Sequence, residues 1–315
     1  GMIGRQFRSG TRVGLIARMV QDLTARLFER AWQLIAPAEL VANSCLFVMG
    51  SEGRGEQLLR TDQDNALVLR DGYVPSTDVA AVCARFSQAL ADFGYPPCPG
   101  AIMVSNPQWC QPVAEFSQMV RLWSATAQPE SLMALAIFMD AHAVCGDASL
   151  LDAVRQSMFS LTSGNDAMLA RFASAINLFN TSSGWWNRLF SLGDNDRDTL
   201  DIKKVGTFPL VHGVRSLALA HQLRETGTTA RIAALVALGA LPEKLAADLV
   251  DSLHFFMGLK LKVGLQAQAL DRSAAGGGIA VDALSTLDRD LLKDTLGVVK
   301  LFKQLLSHRF HLESV

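Results

Sequence analysis

Between Leu46 and Leu69 the chain reads Leu-Phe-Val-Met-Gly-Ser-Glu-Gly-Arg-Gly-Glu-Gln-Leu-Leu-Arg-Thr-Asp-Gln-Asp-Asn-Ala-Leu-Val-Leu, and this stretch constrains the fold most. It predicts an apolar strand, a Gly-Ser turn opening a short helix, and a second strand that begins with two carboxylates. Side chains alternate along a strand, so Asp62 and Asp64 are expected on one face and Gln63 on the other.

Two carboxylates held that close repel each other unless a cation lies between them. A Gly-Ser turn at a helix start offers backbone N–H groups and a hydroxyl, which suit a phosphate. Gly50 and Ser51 are therefore candidate nucleotide contacts, and Asp62 and Asp64 candidate metal ligands. Asp-x-Asp alone is a common solvated pattern; the turn upstream gives it meaning. A phosphate cradle beside a metal-holding acid pair is what nucleotidyl transfer requires. A calcium loop fits poorly, because Asn65-Ala66 stand where its sharp turn needs glycine.

The 315 residues suffice for two domains, and with half of them apolar there is material for packed cores. A net charge of −1 argues against a nucleic-acid coat, which needs an excess of Lys and Arg. Cys45, Cys83, Cys98, Cys110 and Cys145 are scattered, which suggests reduced thiols in a cytoplasm, and no Cys/His spacing suits zinc. No apolar run is long enough to span a bilayer, and Arg18 interrupts the N-terminal apolar stretch of a would-be signal peptide. Gly1 before Met2 resembles an expression scar, so the chain is expected to be a piece of a longer protein.

Along the chain, residues 11–36 read as one amphipathic helix with a near-heptad stripe. It either packs on its own domain or pairs with a second copy. Strands are expected at 45–49, 65–69 and 101–104, and helices at 76–93 and 112–124. The apolar run 135–145 is suited to a buried strand, and Asp147 to the N-cap of the helix after it. From residue 150 onward the strands end. Helices are expected over 150–182, 209–225, 228–239, 242–271 and 282–309, with a polar stretch at 181–199 and a mobile loop at 273–278. The division is an N-terminal helix (1–37), a mixed α/β domain (38–160) and an all-α helical bundle (161–315).

Asp140 sits inside the apolar run and needs a partner, either His142 on the same face or a metal shared with Asp62 and Asp64. Arg54 is a candidate phosphate contact, as is Arg60, which an ordinary surface role explains equally well. In the second half, Lys203 and Lys204 precede a helix start at Pro209, with His212 and Arg215 three apart on one face. Directed at the first domain, Lys203, Lys204 and Arg215 would neutralise a triphosphate; otherwise they form a solvated helix start. Trp109, Trp185 and Trp186 suit base stacking or core filling equally.

Met49-Gly-Ser-Glu-Gly-Arg-Gly-Glu-Gln57 with Thr61-Asp-Gln-Asp-Asn-Ala66 resembles bacterial nucleotidyltransferases found beside cyclic-nucleotide-binding and CBS regulatory domains, distant relatives of the PII-protein uridylyltransferase. Segments 99–109, 137–147 and 201–215 extend the resemblance. It implies an α+β, polymerase-β-like nucleotidyltransferase domain followed by a helical substrate-binding domain. It also implies Gly50 and Ser51 at the phosphates, Asp62 and Asp64 at Mg2+, and Asp140 as the third catalytic acid. The chain departs from the pattern at His142, where arginine is expected, and at Cys110, where a basic residue is expected. It lacks a His-Asp dyad and room for the hydrolase and sensor domains of the PII enzyme, so the reverse reaction is not expected.

The expected activity is Mg2+-dependent transfer of NMP from an NTP to a hydroxyl, on a regulatory protein in signal transduction. The rivals are a catalytically silent nucleotide sensor and a purely structural module.

Overall fold

The computed structural model describes residues 2–126, 128–180, 199–269, 278–281 and 284–314. The chain forms two compact units, one of residues 14–163 and one of residues 1–13 with 164–315. The first is an α+β domain with a small mixed sheet; the second is largely helical.

In the first unit, strand β1 (Ser44–Val48) lies inside a four-stranded sheet. It is paired antiparallel with β2 (Asn65–Leu69) on one side and β4 (His142–Gly146) on the other. Strand β3 (Cys110–Pro112) adds to β2 in parallel at the edge. Every residue of β1 is buried, which explains why it reads as a continuous apolar run and not as an alternation. Its side chains feed two cores. Leu46 and Val48 join Phe28 and Trp32 of the 23-residue helix Val13–Ile35 and Phe86 of the helix Val79–Asp92. Phe47 points oppositely and meets Phe116 and Phe138 edge-on. Each fully buried aromatic of this kind contributes about 1.5–3 kcal/mol.

The helix over Val13–Ile35 matches its periodicity, and its buried stripe packs on its own unit through Phe28, Ala31 and Trp32. Asp78 caps the next long helix, its Oδ1 accepting from the Ala81 amide at 3.2 Å, so that helix begins later than expected. Asp147 caps the helix Ala148–Thr162 as its sequence suggests.

Three local expectations fail. Residues 101–104 form no strand: Ala101 has φ +53°, and the segment meets the start of β2 at Asn65 alone, its other hydrogen bonds running to Cys98 and Asn106. The Asn65 amide donates to Ile102 O and its Oδ1 accepts from Val104 N. The third strand is Cys110–Pro112 instead. The apolar run 135–145 is not one strand but the end of a helix (Pro129–Phe138), a turn holding Asp140, and then β4. Proline at the helix start and apolar side chains around the whole helix account for the difference. The acid pair also precedes β2 and does not open it, since the ladder starts at Asn65.

In the second unit the helices are Asp166–Ser174, Phe208–Ala220, Thr228–Ala237, Glu243–Ala269 and Thr286–Phe310. The helix Phe208–Ala220 is buried along nearly its whole length, and Gly213 lets it approach Phe302 and Leu306 closely. Strands do not end at residue 150, because Thr199–Asp201 pairs antiparallel with Gly278–Ala280. Three-residue strands beside polar, glycine-rich sequence leave no alternation to detect. The expected mobile loop at 273–278 falls, but for Gly278, outside the described residues, as do Trp185 and Trp186.

Candidate active site

Strand β1 ends at Val48, and Met49 is held extended by its amide donating to Asp64 O at 2.9 Å. The chain then turns through Gly50, whose φ of +59° is a conformation that side chains with a Cβ rarely adopt. A single helical turn, Gly50–Gly53, follows. A Cβ at Gly50 would lie 2.7 Å from Asp64 Oδ2, so glycine is required both by the turn and by the carboxylate packed on it. The amides of the first helical turn have no acceptor within the helix, and Ser51 is half-buried beside them.

Across this turn, Gln63 is wholly buried while Asp62 and Asp64 are half-buried, the alternation expected of an extended segment. Gln63 is the anchor. Its amide donates to Pro96 O, and its Nε2 donates to Ser87 O at 2.9 Å and Tyr95 O at 2.8 Å. Both aspartates are thereby held on the side away from the helix Val79–Asp92.

Sequence reasoning missed Glu52. Its carboxyl is buried, Oε1 has no hydrogen-bond partner, and burial together with the nearby Asp64 charge raises its pKa to about 8. Cys98 responds similarly: burial and then Asp64 push its thiol up to about 12. In both groups burial is the larger cause and the Asp64 charge adds to it. No residue pattern marked Glu52, because its importance arises from the fold of the turn.

Asp140 does not join the pair. It is fully buried, and its Oδ2 accepts from Arg54 Nη1 at 2.6 Å, while Arg54 Nε donates to Glu56 Oε2 at 2.6 Å. Burial alone would weaken the guanidinium's charge, but these two carboxylates outweigh it and raise its pKa. Arg54 is therefore held between two carboxylates. The partner weighed for Asp140, His142, gives way to a residue 86 positions away. Among the described residues no group of three His, Cys, Asp or Glu side chains is placed to share an ion. Gly53 completes the arrangement, since the Asp140 carbonyl packs where its Cβ would stand. Asp140 and Arg54 act together as a clamp that fixes the turn Gly50–Gly53.

The other candidates have the following surroundings. Arg60 donates to Phe93 O at 2.9 Å. Trp109 is buried among Phe116 and Trp123, so it fills a core. In the helical unit Lys204 pairs with Asp201 at 3.5 Å, and Lys203 is exposed. Arg215 is not at a solvated helix start; it is buried with His212. His212 Nε2 lies 2.7 Å from Phe172 O, a carbonyl that only accepts, so Nε2 carries the proton and Nδ1 accepts from Arg215 Nη1 at 3.3 Å. Phe208 stacks on the same imidazole with ring centroids 5.2 Å apart.

Residues 1–130 match the family described as Putative nucleotidyltransferase DUF294. Residues 166–310 match the Putative nucleotidyltransferase substrate binding domain. A comparison with curated proteins gives no match. Among the described residues no helix is long and apolar enough to cross a membrane. Two matches in tandem, one over the turn and acid pair and the other over the helical unit, assign the chain to this nucleotidyltransferase family.

Proposed function

We propose that the chain is a Mg2+-dependent nucleotidyltransferase moving NMP from an NTP to a hydroxyl on a regulatory protein, in the manner of PII uridylylation. The observation that supports this reading is the Asp64 carboxylate set against the Gly50 turn, where its oxygens would hold a metal and the first-turn amides a phosphate. Asp62 and Asp64 would hold Mg2+, which when bound supplies charge neutralisation at the α-phosphate. The Ser51 hydroxyl and the first-turn amides orient the β- and γ-phosphates. The acceptor oxygen bonds to the α-phosphorus as the bond from that phosphorus to the α–β bridging oxygen breaks; the hydroxyl proton passes to solvent water and pyrophosphate leaves with the bridging oxygen. Asp140 is a positioning residue, acting through Arg54 on the turn.

The five cysteines are unpaired thiols, in keeping with a reducing, cytoplasmic setting. Leu15, Leu23 and Leu34 are exposed on the helix Val13–Ile35 and suit a second copy of the chain there.

The test is incubation with α-labelled NTPs, Mg2+ and cell extract. Labelled protein should appear with the intact chain and vanish when Asp62→Asn and Asp64→Asn are combined; label that persists in that variant would overturn the site. The second reading, a nucleotide sensor without turnover, is favoured by the capture of Asp140 by Arg54, which removes the third acid. NTP binding with no pyrophosphate release would select it.

A further inference from the structure

The helical unit contains a cavity of about 770 Å³, within the size range of small-molecule sites. It lies between the π-helical turn Lys203–Thr207 and one face of the helix Thr286–Phe310. Leu296, Val299 and Val205 give it apolar wall. Beside them, Lys300, Lys303 and His308 follow helical spacing and line the same space. One carboxylate, Glu313, also lines it.

Three observations indicate that this cavity is built for a ligand. Val205 is a large apolar side chain left 40% exposed on its wall. The turn that carries Val205 is π-helical, a rare geometry that occurs disproportionately at binding sites. Lys303 is half-buried, and no carboxylate among the described residues pairs with it. Its ammonium contributes positive charge to the cavity that it lines. Burial lowers its pKa with nothing opposing the effect, so an anion in the cavity would restore what desolvation costs.

We infer that this cavity binds a small phosphomonoester with an apolar or planar body, the phosphate against Lys300 and Lys303 and the body against Val205 and Leu296. Two ammonium groups match a dianion better than a carboxylate, and the apolar wall distinguishes an organic ester from free phosphate. The cavity is lined by residues of the helical unit, and the inference does not depend on the proposed transfer reaction.

The test is calorimetric titration of the full chain, without Mg2+, with phenyl phosphate, inorganic phosphate and phenol in parallel. Phenyl phosphate should bind more tightly than the other two by about tenfold or more, each contact it adds being worth about that factor. Lys303→Met, which keeps the stem and removes the charge, should weaken it by about tenfold or more, and Lys303→Arg should retain most of it. An unchanged thermal melting profile would show that the variants fold. No binding by phenyl phosphate, equal binding by inorganic phosphate, or binding untouched by Lys303→Met would each overturn the inference. The labelled-transfer assay with the acid-pair variants tests the proposed reaction separately, so failure of one does not imply failure of the other.

Discussion

Arg54 Nη1 donates to the buried carboxylate of Asp140 at 2.6 Å, joining the turn after β1 to the turn before β4. The same guanidinium reaches Glu56 at 2.6 Å, so one cation serves two acids that the fold has brought together. Removing it leaves Asp140 buried without that cation. Arg54→Met is expected to destabilise the protein by about 3–5 kcal/mol, measured as a shift in the urea midpoint. Arg54→Lys should recover only part of this, since an ammonium cannot reproduce a guanidinium spanning two carboxylates.

Gly50 tests the contact on which the proposed reaction rests. In Gly50→Ala the added methyl meets Asp64 Oδ2 and also has to accept φ +59°. Stability should fall by about 1–2 kcal/mol, as for other left-handed positions. Nucleotide transfer should fall further than that loss of folded protein explains, because Asp64 has to move. Rates normalised to the folded fraction separate the two effects.

Gly53→Ala tests the clamp from the opposite side. The methyl would overlap the Asp140 carbonyl, a backbone atom that cannot rotate away. A loss of about 1–3 kcal/mol or more is expected in thermal or denaturant unfolding. Combining it with Asp140→Asn should give less than the sum of the two single losses, since both disturb one contact region.

Glu52 predicts a pH dependence. Its folded pKa, about 8, lies above its ordinary value of 4.5. Below the ordinary value it is protonated in both folded and unfolded chains and costs nothing. As pH rises from there toward 8, the unfolded chain ionises while the folded chain keeps its proton, so stability declines, by at most about 1.4 kcal/mol per pH unit. Glu52→Gln, which mimics the protonated form, should flatten this decline and raise stability at pH 8. Urea midpoints across pH 5–8 in the absence of Mg2+ check it, and equal slopes for both proteins would contradict the burial argument.

Much of this protein was legible from local sequence alone. The apolar run 45–49, the Gly-Ser turn, the buried Gln63 between two half-buried aspartates, the long helix over Val13–Ile35 and the Asp147 cap all appear where backbone periodicity and capping place them. These are short-range consequences of strand alternation, helical pitch and unsatisfied first-turn amides, which neighbouring residues decide among themselves. Only tertiary structure could decide that Asp140 takes Arg54 and not His142 as its ionic partner, that Glu52 turns inward beside Asp64, and that Arg215 is buried against His212. Partnerships between residues distant in sequence depend on which elements pack together. For a buried charge the choice goes to the arrangement that pairs it, whatever its sequence neighbours offer.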